Sequence, residues 1–385
     1  MVESNTVEKY SFNKSLQEKA REYQNAKHFV STLKYALLFW AGFSVLRFGI
    51  SSSLKEFALS YSLDVWLVTA LYLFIGFFCF WAFSLPFDYY AGYVIEHRFD
   101  LSTQTVRSWI ADNLKGLILG MLLSLIIVQG IYYALRTIPT YWWVVVWVFT
   151  SIGILVIAYV APVVIMPLFF KYPPLKDQQL IERLTNLVKK AGISVVGIFE
   201  MKAGVKTKKA VGALAGVGDT RRIILSDTLL ANYSSDEIEG VIGHELGHHV
   251  FHHIGKMTIV TSVMMLIALY ITDPVLRISV DYFDFSGIDD IASLPLLVIT
   301  FGLLLLVALP IMNTFSRYAE GQADQYELEI IRDPDAFISC MLKLCDQNLR
   351  DADPHPLIEF MLYDHPSGKR RVQRALNYKR LVKNP

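Results

Sequence analysis

Charge is scarce in this chain. Only 18% of its 385 residues are Asp, Glu, Lys or Arg, against about 25% in a typical soluble domain. The signs nearly cancel, 36 basic against 35 acidic for a net charge of +1, so the chain lacks the basic excess that binds nucleic acid through its phosphates. There are three cysteines, too few for a disulfide scaffold, and Cys79, Cys340 and Cys345 form no CxxC pair. Buried, reduced thiols are expected. No phosphate-binding loop is present either: Gly212, Gly216 and Gly218 fit neither GK[ST] nor GxGxxG and read as strand and hairpin glycines. The first 27 residues are polar, with Lys9, Lys14, Lys19, Arg21 and Lys27, and do not form a secretory signal peptide. Internal repeats and low-complexity tracts are also missing.

Apolar residues are abundant at 54%, which excludes disorder, and their distribution points to lipid. Six stretches are long enough to cross a bilayer, which takes about 20 helical residues: 35–54, 63–87, 117–135, 141–170, 257–276 and 291–315. Threonine and serine dilute the fifth, and the fourth and sixth are long enough to tilt or to continue into water. Four spans before the long middle segment and two after it place 1–34, 88–116, 171–256 and 316–385 on one face, which carries nearly all the Lys and Arg. Residues 273–290, on the other face, hold Asp273, Asp281, Asp284, Asp289 and Asp290 against Arg277. Positive charge flanking spans favours the cytoplasmic side, so both termini and both polar segments are assigned to the cytosol.

The polar segments read as α+β, with a helix over 177–191 and short strands over 194–201 and 222–225. The chemistry lies between 234 and 256. Ser234 with Glu237 forms a capping box that starts a helix, and within it His244-Glu245-Leu246-Gly247-His248 is HExxH. Four residues of α-helix stack His244 and His248 on one face, suited to two imidazoles on one metal. Glu245 is rotated by about 100° from His244 and can reach a water at the metal without becoming a ligand. Composition alone gives on the order of 0.01 chance matches to HExxH. Five of the nine histidines, His244, His248, His249, His252 and His253, fall within ten residues; the last three are read as surface or supporting groups. A catalytic zinc takes three protein ligands and keeps one position open. Glu320 and Asp324, four apart in a helical stretch after the sixth span, return to the same membrane face. There a carboxylate can complete a His₂Glu site, with Asp324 accepting from the far nitrogen of a ligand histidine.

These residues resemble the type I CAAX prenyl proteases, integral-membrane zinc metalloendopeptidases of the gluzincin group. The resemblance covers most of the chain from about residue 63. It rests on Gly243–His248, on Glu320-Gly321-Gln322-Ala323-Asp324, and on the 222–229 strand leading to the metal helix. Glu96-His97-Arg98-Phe99 with Trp109-Ile110-Ala111-Asp112, and His365-Pro366 with Arg371, add to it. It implies that His244, His248 and Glu320 hold one zinc ion, that Glu245 is the general base, and that His365 contacts the substrate or the developing oxyanion. It also implies spans surrounding a water-filled chamber. Three features depart from the family. The spans number six rather than seven, Val211-Gly212 stands where Asn-Ala is usual after Thr207-Lys208-Lys209-Ala210, and Ser367 replaces the second proline of H-P-P.

The expectation is a mainly α polytopic membrane protein with about six transmembrane helices around a chamber and a small α+β metalloprotease domain on the cytosolic side. Its segments are 1–170, 171–256, 257–315 and 316–385. Val211, Gly212 and Arg371 are the expected substrate contacts, with an edge strand near 211–218 pairing with substrate main chain. The partners are a peptide or protein substrate, possibly one that is prenylated, and the bilayer of a bacterial inner membrane or the endoplasmic reticulum. A membrane protease that degrades damaged proteins is an alternative, although such chains carry two spans before HExxH rather than four. A zinc-binding chaperone or transporter without hydrolysis is another, against which the intact Glu245 argues.

Overall fold

The computed structural model describes residues 11–216 and 218–383; Lys9 and the ends of the expected segments 1–170 and 316–385 lie outside them. Long helices dominate. α1 (Lys14–Arg47), the short α2 (Ile50–Leu59) and α3 (Val65–Tyr89) come first, and α3 runs on through a π turn at Tyr90–Val94 to Arg98. α4 (Val106–Thr137) and α5 (Trp142–Val160) follow, and α5 continues through Ala161–Ile165 to Phe169. Then come α6 (Gln178–Lys190), β1 (Ile198–Met201), β2 (Gly212–Ala215), β3 (Arg222–Ser226), α7 (Asp227–Asn232) and α8 (Ser235–Val250). The chain ends with α9 (His253–Phe283), α10 (Leu294–Ile331), α11 (Pro334–Gln347), α12 (Pro356–Leu362) and α13 (Gly368–Lys383).

Among the described residues six helices are long and apolar enough to cross a membrane: α1, α3, α4, α5, α9 and α10 with their extensions. Each packs against the next in that order, and α10 returns to α1, so they form a ring. Most of their apolar surface is left unburied by the rest of the chain, which suits helices whose solvent is lipid. Two expectations change. The first span begins at Lys14, because the polar segment before the membrane is itself helical and is capped by Asn13, whose side chain accepts from the Leu16 N–H. It stops at Arg47, where Gly49 (φ 68°) takes the left-handed conformation and starts α2, so 50–54 belong to a separate short helix. Cys79 is exposed on α3, unlike the buried Cys340 and Cys345, so only two of the three thiols are buried as expected.

The sheet has the order β1-β3-β2, with β1 parallel and β2 antiparallel to β3. The expected strand over 194–201 contracts to Ile198–Met201, after Gly192 (φ 70°) and Gly197. Leu184, Ile223, Leu225, Leu229, Ile242 and Leu246 are fully buried in the core that joins α6, the sheet and α8. β2 is therefore an edge strand, and its free side lies along α8. At the opposite end of the spans Lys55 Nζ pairs with buried Asp290 Oδ2 at 2.7 Å, and Tyr132 meets Ser293 at 2.9 Å.

Candidate active site

The helix that carries HExxH is fixed at its start and along one face. Ser234 Oγ accepts from the Glu237 N–H (3.3 Å) and the Glu237 carboxylate accepts from the Ser234 N–H (2.8 Å), the reciprocal capping box the sequence implies. Ser339 and Lys343 also donate to Glu237, each at 2.7 Å. Gly240, Gly243 and Gly247 form a stripe that lets α8 lie directly on α10. A Cβ at Gly247 would sit 2.9 Å from the Ala323 Cα, and one at Gly240 would be 2.7 Å from Glu327 Oε1. This close approach carries Glu320 to the two histidines although 72 residues separate it from His248 in the chain.

Nε2 of His244 and Nε2 of His248 are 3.2 Å apart. Glu320 Oε2 is 3.2 Å from His244 Nε2, and Glu320 Oε1 is 3.3 Å from His248 Nε2. Three ligand atoms about 2.0–2.1 Å from a tetrahedral metal lie about 3.3 Å from one another, so the donor set has the size and the chemistry of a His₂Glu metal site. Glu320 Oε2 is buried without a hydrogen-bond donor, so lone pairs converge there on a point that calls for a cation. Burial alone would lower the pKa of His244, but the carboxylates of Asp324 and Glu320 push it up to about 10; at neutral pH the site demands positive charge, whether from a proton or a metal.

The outer partners fix the tautomer. Asp324 Oδ1 lies 3.1 Å from His244 Nδ1, which places the ring proton on Nδ1 and leaves Nε2 free for a metal. Asp324 is fully buried and also accepts from Arg371 Nε (3.0 Å), Arg371 Nη2 (2.5 Å) and Arg374 Nη1 (2.6 Å). Arg371, expected to touch substrate, is instead buried behind His244. Its charge is what allows Asp324 to stay ionised away from water. Arg374, which the sequence reading missed, lies three residues on and so on the same face of α13.

The remaining groups surround the metal-binding atoms. Glu245 Oε2 lies 3.5 Å from the Leu214 N–H on β2, and the Leu214 carbonyl meets His249 Nε2 at 3.2 Å, so the general-base candidate faces the edge strand. Leu214, rather than Val211, presents its main chain to the site. The Val211 N–H donates to Ser226 Oγ, its carbonyl accepts from the Ser226 N–H, and Gly212 is pressed against Val241, where a Cβ would be 2.6 Å from Cγ1. The edge-strand expectation thus centres on Leu214; Val217, within 211–218, is outside the described residues. His365 arrives from a separate loop, its Nε2 3.2 Å from Glu320 Oε1 and its Nδ1 2.7 Å from Asp364. Arg317 holds that loop by donating to the carbonyls of Glu359 (3.0 Å) and Tyr363 (2.7 Å) at the end of α12. A cavity of about 310 Å³ opens beside His248, lined by His253, Met257, Thr258, Ser316 and Ala319.

The chain is similar in sequence and in fold to known proteins. Residues 174–379 match the model of peptidase family M48, and residues 6–171 match that of the CAAX prenyl protease N-terminal region, described as having five membrane helices. Among the described residues four long apolar helices fall in that second region. The chain is 28% identical over 360 residues to the "Uncharacterized metalloprotease YhfN" of Bacillus subtilis, covering 92% of this chain and 84% of that one. It is 30% identical over 300 residues to the "CAAX prenyl protease 1 homolog" of Arabidopsis thaliana, covering 75% and 69%. Its fold is similar to that of the crystal structure of S. mikatae Ste24p, with a TM-score of 0.84 at 23% identity, over 94% of this chain and 89% of that one.

Proposed function

The chain belongs to peptidase family M48 and is a multi-pass integral-membrane metalloendopeptidase; we propose that its metal is one zinc ion held by His244, His248 and Glu320, and that it cleaves CAAX-type C-terminal peptides, prenylated, or related membrane-associated peptides. The observation that carries the zinc assignment is the triangle of donor atoms, each about 3.2–3.3 Å from the next. When bound, zinc supplies Lewis acidity that brings the pKa of water toward about 7.

The other steps fall to the chain's own side chains. Glu245 removes a proton from the attacking water and returns it to the leaving amine. His365, with its Nε2 turned toward the ligand cluster, donates a hydrogen bond to the oxyanion that develops on the scissile carbonyl. Extended substrate pairs with the β2 edge at Leu214, taking the place of Glu245 and His249 at the Leu214 N–H and carbonyl, and so binds through main chain with little demand on side-chain identity. Asp324, held by Arg371 and Arg374, keeps His244 in the tautomer that leaves Nε2 free. The Lys and Arg distribution supports an active site and termini on the cytosolic side of a bacterial inner membrane or the endoplasmic reticulum.

The test is mass spectrometry of peptides incubated with the purified full chain, with and without a chelator, using farnesylated and unmodified C-terminal sequences. Cleavage abolished by chelator and restored by zinc is the expected result, with the farnesylated peptide cut faster. Equal rates on both peptides would refute the prenyl preference, and chelator-resistant cleavage would refute the metal mechanism.

A further inference from the structure

Of the two histidine ligands, only His244 has a carboxylate behind it. Nδ1 of His248 faces a third imidazole instead: His253 Nδ1 is 3.1 Å away, and the far nitrogen of His253, Nε2, is 3.1 Å from Gln322 Oε1. We propose that His253 is a positioning residue for the metal, with His248, His253 and Gln322 forming a neutral hydrogen-bond chain that sets the tautomer and ring angle of His248. The inference rests on the reading of His248 as a metal ligand.

The proton positions follow from that reading. A neutral His248 that offers Nε2 to a metal carries its proton on Nδ1. His253 must then accept at Nδ1, so its own proton is on Nε2, and the group facing it must be an acceptor. The Gln322 carboxamide oxygen is that acceptor; turned the other way, the amide would set two N–H groups against each other at one end of the chain or the other. One arrangement satisfies every atom.

The ring is held for this task. His253 is 2% exposed and stacks on Phe251 with centroids 5.6 Å apart, while its ring stands at 74° to that of His248, the edge-on geometry of a ring N–H pointing at a lone pair. It is the first residue of α9 and follows His252, whose φ of 56° breaks the helix between α8 and α9. That break turns the His253 side chain back toward the metal helix, so the first residue of a membrane-crossing helix supports a metal ligand. Gln322 lies between Glu320 and Asp324 on α10. One segment thereby provides the third ligand, the direct partner of His244 and the end of the chain behind His248.

The test compares wild type, His253→Phe, His253→Gln and Gln322→Leu as full-length protein in detergent, by zinc competition against a chromogenic chelator and by thermal unfolding of the metal-free forms. His253→Phe keeps the ring and its stacking but cannot accept, and it should weaken zinc binding by about 10–100-fold, the usual effect of losing a ligand's hydrogen-bond partner. His253→Gln, which supplies a carbonyl acceptor, should recover at least part of that loss. Gln322→Leu should weaken binding less than His253→Phe, with the metal-free midpoints of the variants close to wild type. The cobalt-substituted protein should show a shifted visible spectrum in His253→Phe and a near-native one in His253→Gln. Wild-type zinc affinity in His253→Phe, or equal losses in the Phe and Gln variants with lowered metal-free midpoints, would overturn the proposal. A wild type that binds no zinc would instead remove the metal-site reading on which it rests.

Discussion

Asp324 is the most heavily engaged side chain at the site, and Asp324→Asn perturbs it with almost no change in shape. Four N–H groups converge on its two oxygens: His244 Nδ1 at 3.1 Å, Arg371 Nε at 3.0 Å and Nη2 at 2.5 Å, and Arg374 Nη1 at 2.6 Å. An asparagine offers one oxygen and brings two N–H donors of its own. Whichever way the amide turns, it sets donor against donor and leaves the Arg371 guanidinium, 9% exposed in its side chain, buried without the carboxylate to which it donates. Breaking a buried ion pair in this manner costs about 3–5 kcal/mol. Arg374 is one-third exposed and can turn to water, so the lower end of that range applies. Zinc affinity should fall about 10–100-fold, because His244 loses the acceptor that fixes its tautomer. Arg374→Ala, which removes only the exposed arm of the cluster, should cost about 1 kcal/mol. Denaturant unfolding and chelator competition on the three proteins measure both quantities. An Asp324→Asn protein that binds zinc within twofold of wild type and unfolds at the same denaturant concentration would refute the reasoning.

Three further outcomes follow from the same geometry. Glu245→Gln should retain zinc but lose about 10²–10⁴ in turnover, as removal of a general base does; single-turnover cleavage beside metal analysis would show it. Gly247→Ala should destabilise the chain by about 1–3 kcal/mol and weaken zinc binding, since the new Cβ would lie 2.9 Å from the Ala323 backbone and push α8 away from the helix that carries Glu320. Burial would raise the pKa of Glu237, but Lys343, Ser339 and the Ser234 N–H outweigh it and hold the carboxylate below its usual range. Its contribution is therefore present above the unfolded-state pKa and is lost as pH falls through the lower folded value. Glu237→Gln should cost about 1–3 kcal/mol at neutral pH and flatten the acid limb of the stability curve.

The spanning helices were legible because lipid imposes a simple constraint: about 20 apolar residues in a row. Their ends were less so. The helix through Lys14–Lys34 is polar and continues only because nothing there breaks it, and Gly49 marks the true stop. His244, His248 and Glu245 could be read from local spacing, since helical geometry alone puts the two imidazoles on one face. Glu320 and Asp324 needed topology, which returns the end of the sixth span to the metal helix. Arg371 could be picked out but its role could not, because its partner Asp324 is 47 residues away and a buried arginine and a substrate-binding arginine look alike in sequence. The place of Leu214 was hidden for a similar reason: which residues of an edge strand turn outward depends on the register of β2 against β3, and only strand pairing sets that.

The account stands most directly on the metal content of the purified full chain set beside that of Glu320→Ala, whose residue comes from a different helix than the two histidines. One zinc per chain in the wild type and much less than one in the variant, with both folded, is the predicted result. Stoichiometric zinc in Glu320→Ala, or none in the active wild type, would contradict it.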